Sequence, residues 1–328
     1  MNPQTLLRFR YLGLVTILFV YLVISAGSIV RASGAGMGCP DWPMCFGQLI
    51  PPTDEAQLPA NYHEIYAQRG YENTDFNPVK TWTEYVNRLI GATLGILVLL
   101  TAGFSSRYLK TDKTVFYLSL TTVFLTGFQA WLGATVVASN LQPFKITIHM
   151  VMALILAGLL VYIVTRSQRD FLKQLDISAL PPLPYINITV KTALMIALYM
   201  TLLQIAMGTQ VREAVDGIAQ AQVAREFWRA DFPVLFYIHR SFSSIILFFN
   251  LAIVWTIFKN SDKKTALFEG AIALAAGIIV AILAGVSLDR LGMPAVAQPV
   301  HLVMANLIFG LQFFLYISLG YAGANKVD

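Results

Sequence analysis

Charge is what this chain has least of. Asp, Glu, Lys and Arg make up 12% of its 328 residues, against 56% hydrophobic residues. A soluble domain carries about 25% charge, so an ordinary water-soluble globule is excluded. The formal net charge of +5 is no nucleic-acid footprint, because the basic residues are distributed between alternate apolar runs as the positive-inside rule describes. Cysteine is scarcer still. Cys39 and Cys45 are the whole supply, enough for one disulfide or one exchangeable dithiol. There are four histidines, His63, His149, His239 and His301, so each position matters.

What the chain has instead is long apolar runs. A helix needs about 20 apolar residues to cross a bilayer. Eight such runs lie at roughly 10–31, 82–104, 114–138, 145–166, 191–212, 233–258, 267–289 and 298–322. Backbone polar groups must be satisfied internally in hydrocarbon, so runs this long predict helices and an all-α integral membrane protein. The first run is too long for a signal-peptide core and is expected to remain as a span. Basic residues gather between alternate spans: Arg8 and Arg10, then Arg107, Lys110 and Lys113, then Arg166, Arg169 and Lys173, then Lys259, Lys263 and Lys264, with Lys326 in the tail. The positive-inside rule places these and both termini in the cytoplasm, and a bacterial cytoplasmic membrane is the simplest location.

The second half repeats the first. His301 lies 152 positions after His149, and the same offset pairs Gly158 with Gly310, Gly133 with Gly285, Tyr85 with Tyr237, Arg88 with Arg240, and Asn87 with His239. The first span ends in Gly27-Ser28-Ile29-Val30-Arg31 and the fifth in Gly208-Thr209-Gln210-Val211-Arg212, at a larger offset. The difference falls in the external loop 32–81, whose counterpart 213–232 is shorter. Two tandem four-helix bundles are expected: 1–166, a proline-bearing cytoplasmic linker 167–190, and 191–328. Parallel halves with an even number of spans argue against a transporter, whose repeats are often inverted with helices broken at mid-membrane.

Three histidines fall near the external ends of spans. Ionisable groups inside a membrane are costly and face the bundle interior. His239 and His301 are expected across one cavity, where bis-imidazole ligation of a haem iron is the natural use. Arg240 and Arg212 are placed for haem propionates or for snorkelling to the interface. In the first half His149 faces Asn87, with Glu84 three residues before it on the same helix face. Glu84 is either an acid beside the ring or the partner of Arg88 or Arg31 in an ion pair. Cys39-Pro40-Asp41-Trp42-Pro43-Met44-Cys45 forms a stiff external turn, which serves as a loop staple or as a redox pair near the site.

Together these residues resemble the haem A synthase family. The likeness runs over nearly the whole chain: the Cys39 loop, Glu84-Tyr85-x-x-Arg88, Gly133 before His149, His239-Arg240, and His301. It implies a haem b held by His239 and His301, with Arg212, Arg240, Arg31 and Arg88 around the haem groups. It implies haem O as substrate at His149, with Glu84 in catalysis and Cys39 and Cys45 as a pair near that site; Asn87, facing His149, is this chain's own further catalytic candidate. The implied reaction is stepwise oxidation of a ring methyl to a formyl group, giving haem A for cytochrome oxidase. The implied partners are haem O, the haem O synthase that supplies it, an electron acceptor and membrane lipid. A homo-oligomer is compatible with this reading, though no motif argues for one. The family pattern has His where this chain has Asn87, which leaves the first-half haem with one protein ligand unless loop residue His63 substitutes. The competing readings are a non-catalytic dihaem b cytochrome and a haem-handling assembly factor.

Overall fold

The computed structural model describes residues 3–175, 180–221, 224–263 and 265–322. Lys264, Lys326 and the two termini lie outside the described residues. Eight long helices dominate: α1 Pro3–Ala32, α2 Pro78–Ser105, α3 Lys113–Ala138, α4 Pro143–Arg166, α5 Val190–Gln220, α6 Val234–Asn260, α7 Ala266–Arg290 and α8 Ala297–Ala322. All eight are long and apolar enough to cross a membrane. Among the described residues there is no strand, only an isolated bridge between Cys45 and Gln48. The protein is an all-α integral membrane protein.

The helix starts follow ordinary capping chemistry. The Asn77 side chain accepts from Lys80 N at 3.0 Å and Pro78 opens α2. Pro has no N–H to leave unsatisfied, and its fixed φ suits a first helical position. Pro143 likewise opens α4 instead of lying in the preceding loop. Asp112 caps α3 and Thr265 caps α7. One boundary differs from the sequence reading: α5 does not end at Arg212 but continues to Gln220. No proline interrupts it, and Arg212 pairs with Asp216 at 2.8 Å one turn on, so the shorter loop that follows the fifth span is partly helical.

The chain divides into two compact units, Met1–Ile163 and Val164–Asp328. In the second unit α5 packs on α6, α6 on α7, α7 on α8 and α8 on α5. This ring sets α6 and α8 on a diagonal. A stripe of small residues on α7, including Gly270, Ala271, Gly277 and Ala281, lets α8 approach closely. A Cβ at Gly270 would stand 3.0 Å from Leu315, and one at Gly277 would stand 3.5 Å from Ile308. Close packing of small residues is how membrane helices associate without a hydrophobic drive between them. The segment after α4 is more than a polar linker: its Leu183 is buried within this unit's core.

In the first unit α1 packs on α2 and α2 on α3. α4 meets α3 through His149 and α1 through Arg31, so α2 and α4 again form the diagonal. The long loop between α1 and α2 has its own core. Phe46 presents edges or faces to Tyr62, Tyr66, Tyr71 and Phe76 at 5.2–6.5 Å between ring centres. Cys39 and Cys45 are joined in a disulfide within that core. The Asp41 carboxylate accepts from Phe46 N and Gly47 N at 2.6 and 2.7 Å. It thereby holds the turn that both residues enter with positive φ.

A candidate haem site in each unit

His239 is the sixth residue of α6 and His301 the fifth of α8. They meet across the diagonal of the second unit, with ring centres 6.2 Å apart and planes at 74°. His301 Nδ1 lies 2.8 Å from the Ala281 carbonyl oxygen. A carbonyl can only accept, so this nitrogen carries the proton and Nε2 is left free as a ligand. Each ring rests on a glycine of the neighbouring helix. A Cβ at Gly208 would stand 3.2 Å from His239 Cε1, and one at Gly285 would stand 3.1 Å from His301 Cε1.

The first unit builds the same niches and fills them differently. A Cβ at Gly133 would stand 3.3 Å from His149 Cε1, and one at Gly27 would stand 3.9 Å from Asn87 Oδ1. Asn87 Oδ1 and His149 Nδ1 are both buried with no hydrogen-bond partner among the described residues. Buried polar atoms are nearly always satisfied, so two orphans facing the interior of one unit mark a place built for something the chain itself does not supply.

Glu84 does not stand free beside Asn87. It is buried, one carboxylate oxygen 2.5 Å from Arg88 Nη2 and the other accepting from Cys39 N at 2.9 Å. Of the two sequence readings, the ion pair with Arg88 is what the structure holds. Arg88 also donates to the carbonyl oxygens of Cys39, Asp41 and Met44 at 3.1, 2.7 and 2.9 Å. Together they fasten the disulfide loop to the side of α2. Thr81 adds a hydrogen bond to Gly38 O at 2.8 Å. Nearby, burial first and the Glu84 charge second push the Tyr71 phenol well above its ordinary range, and its hydroxyl donates to Met37 O at 2.9 Å.

The arginines expected near anionic groups already have neighbours. Arg212 bonds Gln298 and Asp216. Arg240 lies 3.4 Å from Asp289 and over the Tyr237 ring. Arg31 reaches Met150 Sδ at 3.7 Å. With both Nη atoms engaged in the loop, Arg88 is its anchor. His63 is also tied into the loop, with Nδ1 2.7 Å from Tyr71 O and its ring 4.0 Å from that of Tyr62.

Two residues escaped the sequence reading. Gln204 Nε2 donates to the His239 carbonyl oxygen at 2.9 Å and lies 3.5 Å from His239 Nε2. Gln129 does the same to His149, at 3.0 and 3.5 Å. Each glutamine sits one turn before the niche glycine, so Gln-x-x-x-Gly, present at 129–133 and 204–208, was the available signal. The pattern was missed because the repeat offset does not pair them: Gln129 aligns with Ala281, and Gln204 with Val23.

Among the described residues no three His, Cys, Asp or Glu side chains gather as a metal group. The facing pair nevertheless fits a metal whose other ligands come from a prosthetic ring. Half of the 6.2 Å separation matches a metal–nitrogen bond of about 2 Å plus about 1 Å from that nitrogen to the ring centre.

Eight apolar helices, with a histidine pair across one bundle, define an all-α multi-pass membrane protein. The profile of the COX15-CtaA family, cytochrome oxidase assembly protein, matches residues 10–313, and the chain belongs to that family. Similar curated proteins are heme A synthases. That of Shewanella oneidensis is 34% identical over 186 residues, 56% of this chain and 54% of the relative. That of Shouchella clausii is 32% identical over 141 residues, 43% and 39%. That of Geobacillus thermodenitrificans is 25% identical over 163 residues, 50% and 43%. The chain thus matches about half of each relative's length or less.

Proposed function

We propose that this protein is a haem A synthase, oxidising a ring methyl of haem O to a formyl group in two two-electron steps, with water supplying the oxygen and four electrons and four protons passing to an acceptor outside the chain. The observation that carries the reading is the contrast between facing histidines in one unit and His149 opposite Asn87 in the other. His239 and His301 would hold haem b, with Arg212 and Arg240 at its aqueous edge. Bound there, a six-coordinate haem supplies one-electron transfer. His149 would take the substrate haem, with Arg31 at its outer rim. Asn87 is a poor ligand and leaves the opposite face open. Glu84 stands one helical turn from Asn87; its carboxylate would hold the disulfide loop over that face and accept a proton there during the reaction. The protein would lie in a bacterial cytoplasmic membrane with its termini inside and both sites toward the external side. Haem O would come from a haem O synthase, and a homo-oligomer is compatible with this arrangement.

The test is expression of the full chain in cells that make haem O, followed by extraction and mass analysis of the haems. The formyl product, or its hydroxylated precursor, is expected. A protein with bound haem that yields neither overturns the reading. One observation favours the alternative of a non-catalytic dihaem cytochrome: Glu84 is already engaged in the loop. That alternative expects Glu84→Gln to leave function unchanged.

A further inference from the structure

Directly beneath the histidine pair of the second unit lies a second polar pair that no step above uses. Asn250 follows His239 by eleven residues on α6, and Gln312 follows His301 by eleven on α8. Eleven residues are about three turns and about 16 Å of helix, returning to within about 20° of the same face. Both side chains are fully buried, and Gln312 Nε2 donates to Asn250 Oδ1 at 2.8 Å. Asn250 Nδ2 is itself satisfied by the Ile246 carbonyl oxygen at 2.9 Å, which fixes its orientation. The bond therefore spans the same α6–α8 diagonal as the histidines, in a bundle whose closest helix packing runs between ring neighbours.

Among the described residues the first unit has no such bond across its diagonal; its buried Thr16–Thr101 bond at 2.8 Å joins the neighbours α1 and α2. The residues eleven after Asn87 and His149 are Val98 and Leu160. Both are buried in one apolar cluster with Val20, Leu94 and Ala157. A carboxamide pair in an apolar core gains little stability over well-packed aliphatic side chains, and Gln312 Oε1 has no partner among the described residues. What a buried polar bond between two helices does provide is a fixed register.

We infer that Asn250 and Gln312 are positioning residues. Their bond pins α6 to α8 so that His239 and His301 stay at ligating distance and the second unit retains its haem. The first unit, with Val98 and Leu160 at the matching places, is built without the pin because its haem must enter as substrate and leave as product. The inference rests on the proposed assignment of cofactor and substrate to the two units.

The full-length protein is purified in detergent with its haem, and transfer of haem to excess apomyoglobin is timed alongside the electron paramagnetic resonance spectrum. In the parent, a slowly transferred haem with a bis-imidazole low-spin signal is expected. Absence of that signal overturns the underlying assignment, and the pin with it. Asn250→Val with Gln312→Leu should accelerate loss of that haem about tenfold, the net worth of one hydrogen bond, and shift the low-spin g-values. The reciprocal swap Asn250→Gln with Gln312→Asn restores a donor and an acceptor and should recover both. Loss within twofold of the parent and an unmoved signal would overturn the pin while leaving the assignment standing. Should the apolar double variant fail to accumulate, Val98→Asn with Leu160→Gln carries the test. Slower haem exchange from the first unit supports the pin, and unchanged exchange overturns it.

Discussion

Gln204 donates a 2.9 Å hydrogen bond to the backbone carbonyl of His239, tying α5 to α6 at the level of the imidazole. Gln129 and His149 repeat the arrangement at 3.0 Å. Interhelical hydrogen bonds of this kind are worth about 0.6–1.7 kcal/mol in a membrane, so neither glutamine is required for folding. Gln204→Leu should leave the protein expressed and its haem bound, but shift the midpoint potential and g-values of the low-spin haem in redox titration and paramagnetic resonance. Gln129→Leu should leave that signal where it is.

The histidines separate the two sites. His239→Ala and His301→Ala should each abolish the low-spin absorption of the purified protein, whereas His149→Ala should spare it and abolish product. Loss of that spectrum on replacing His149, with retention on replacing His301, would reverse the assignment of the units.

Gly38 has no room for a side chain. A Cβ there would stand 2.4 Å from Lys80 O and 2.8 Å from Thr81 N, and both are backbone atoms that cannot step aside. Gly38→Ala should therefore lift the disulfide loop from α2 at a cost of about 2 kcal/mol or more. Limited proteolysis should show the loop cut faster, with the second unit's haem spectrum unchanged.

The Glu84–Arg88 pair bears on chemistry and on structure, and one substitution distinguishes them. Glu84→Gln keeps an oxygen that can accept from Cys39 N but removes the charge beside Arg88. Product formation should fall about a hundredfold or more, in the range of lost acid–base assistance, while the loop stays resistant to protease. Wild-type turnover in this variant would reduce Glu84 to a fastener.

The architecture was legible in the sequence because apolar run length and the distribution of Lys and Arg report directly on bilayer crossing. All eight spans lie where the apolar runs do. The histidine pair was legible because an ionisable side chain near the end of an apolar run is costly and so stands out. The Gln129 and Gln204 contacts were not. A carboxamide in a span is unremarkable until a structure shows which carbonyl it meets. The end of α5 was misread for another reason: polar residues from Arg212 onward look like a loop, yet an Arg212–Asp216 pair one turn apart is helix-supporting. Glu84 stood between two readings because spacing alone cannot tell a free carboxyl from one that closes a loop.

Gly27 has consequences for how this protein changes over generations. It keeps, opposite Asn87, the same opening that Gly133, Gly208 and Gly285 keep opposite histidines. Asparagine and histidine codons differ at a single base, so a second strong ligand in the first unit is one mutation away, with the space for its ring already cleared. Asn87→His should give a second bis-imidazole signal in the purified protein. The choice between asparagine and histidine at this niche is thus open to direct selection: a population grown where product is limiting would show which residue it comes to carry.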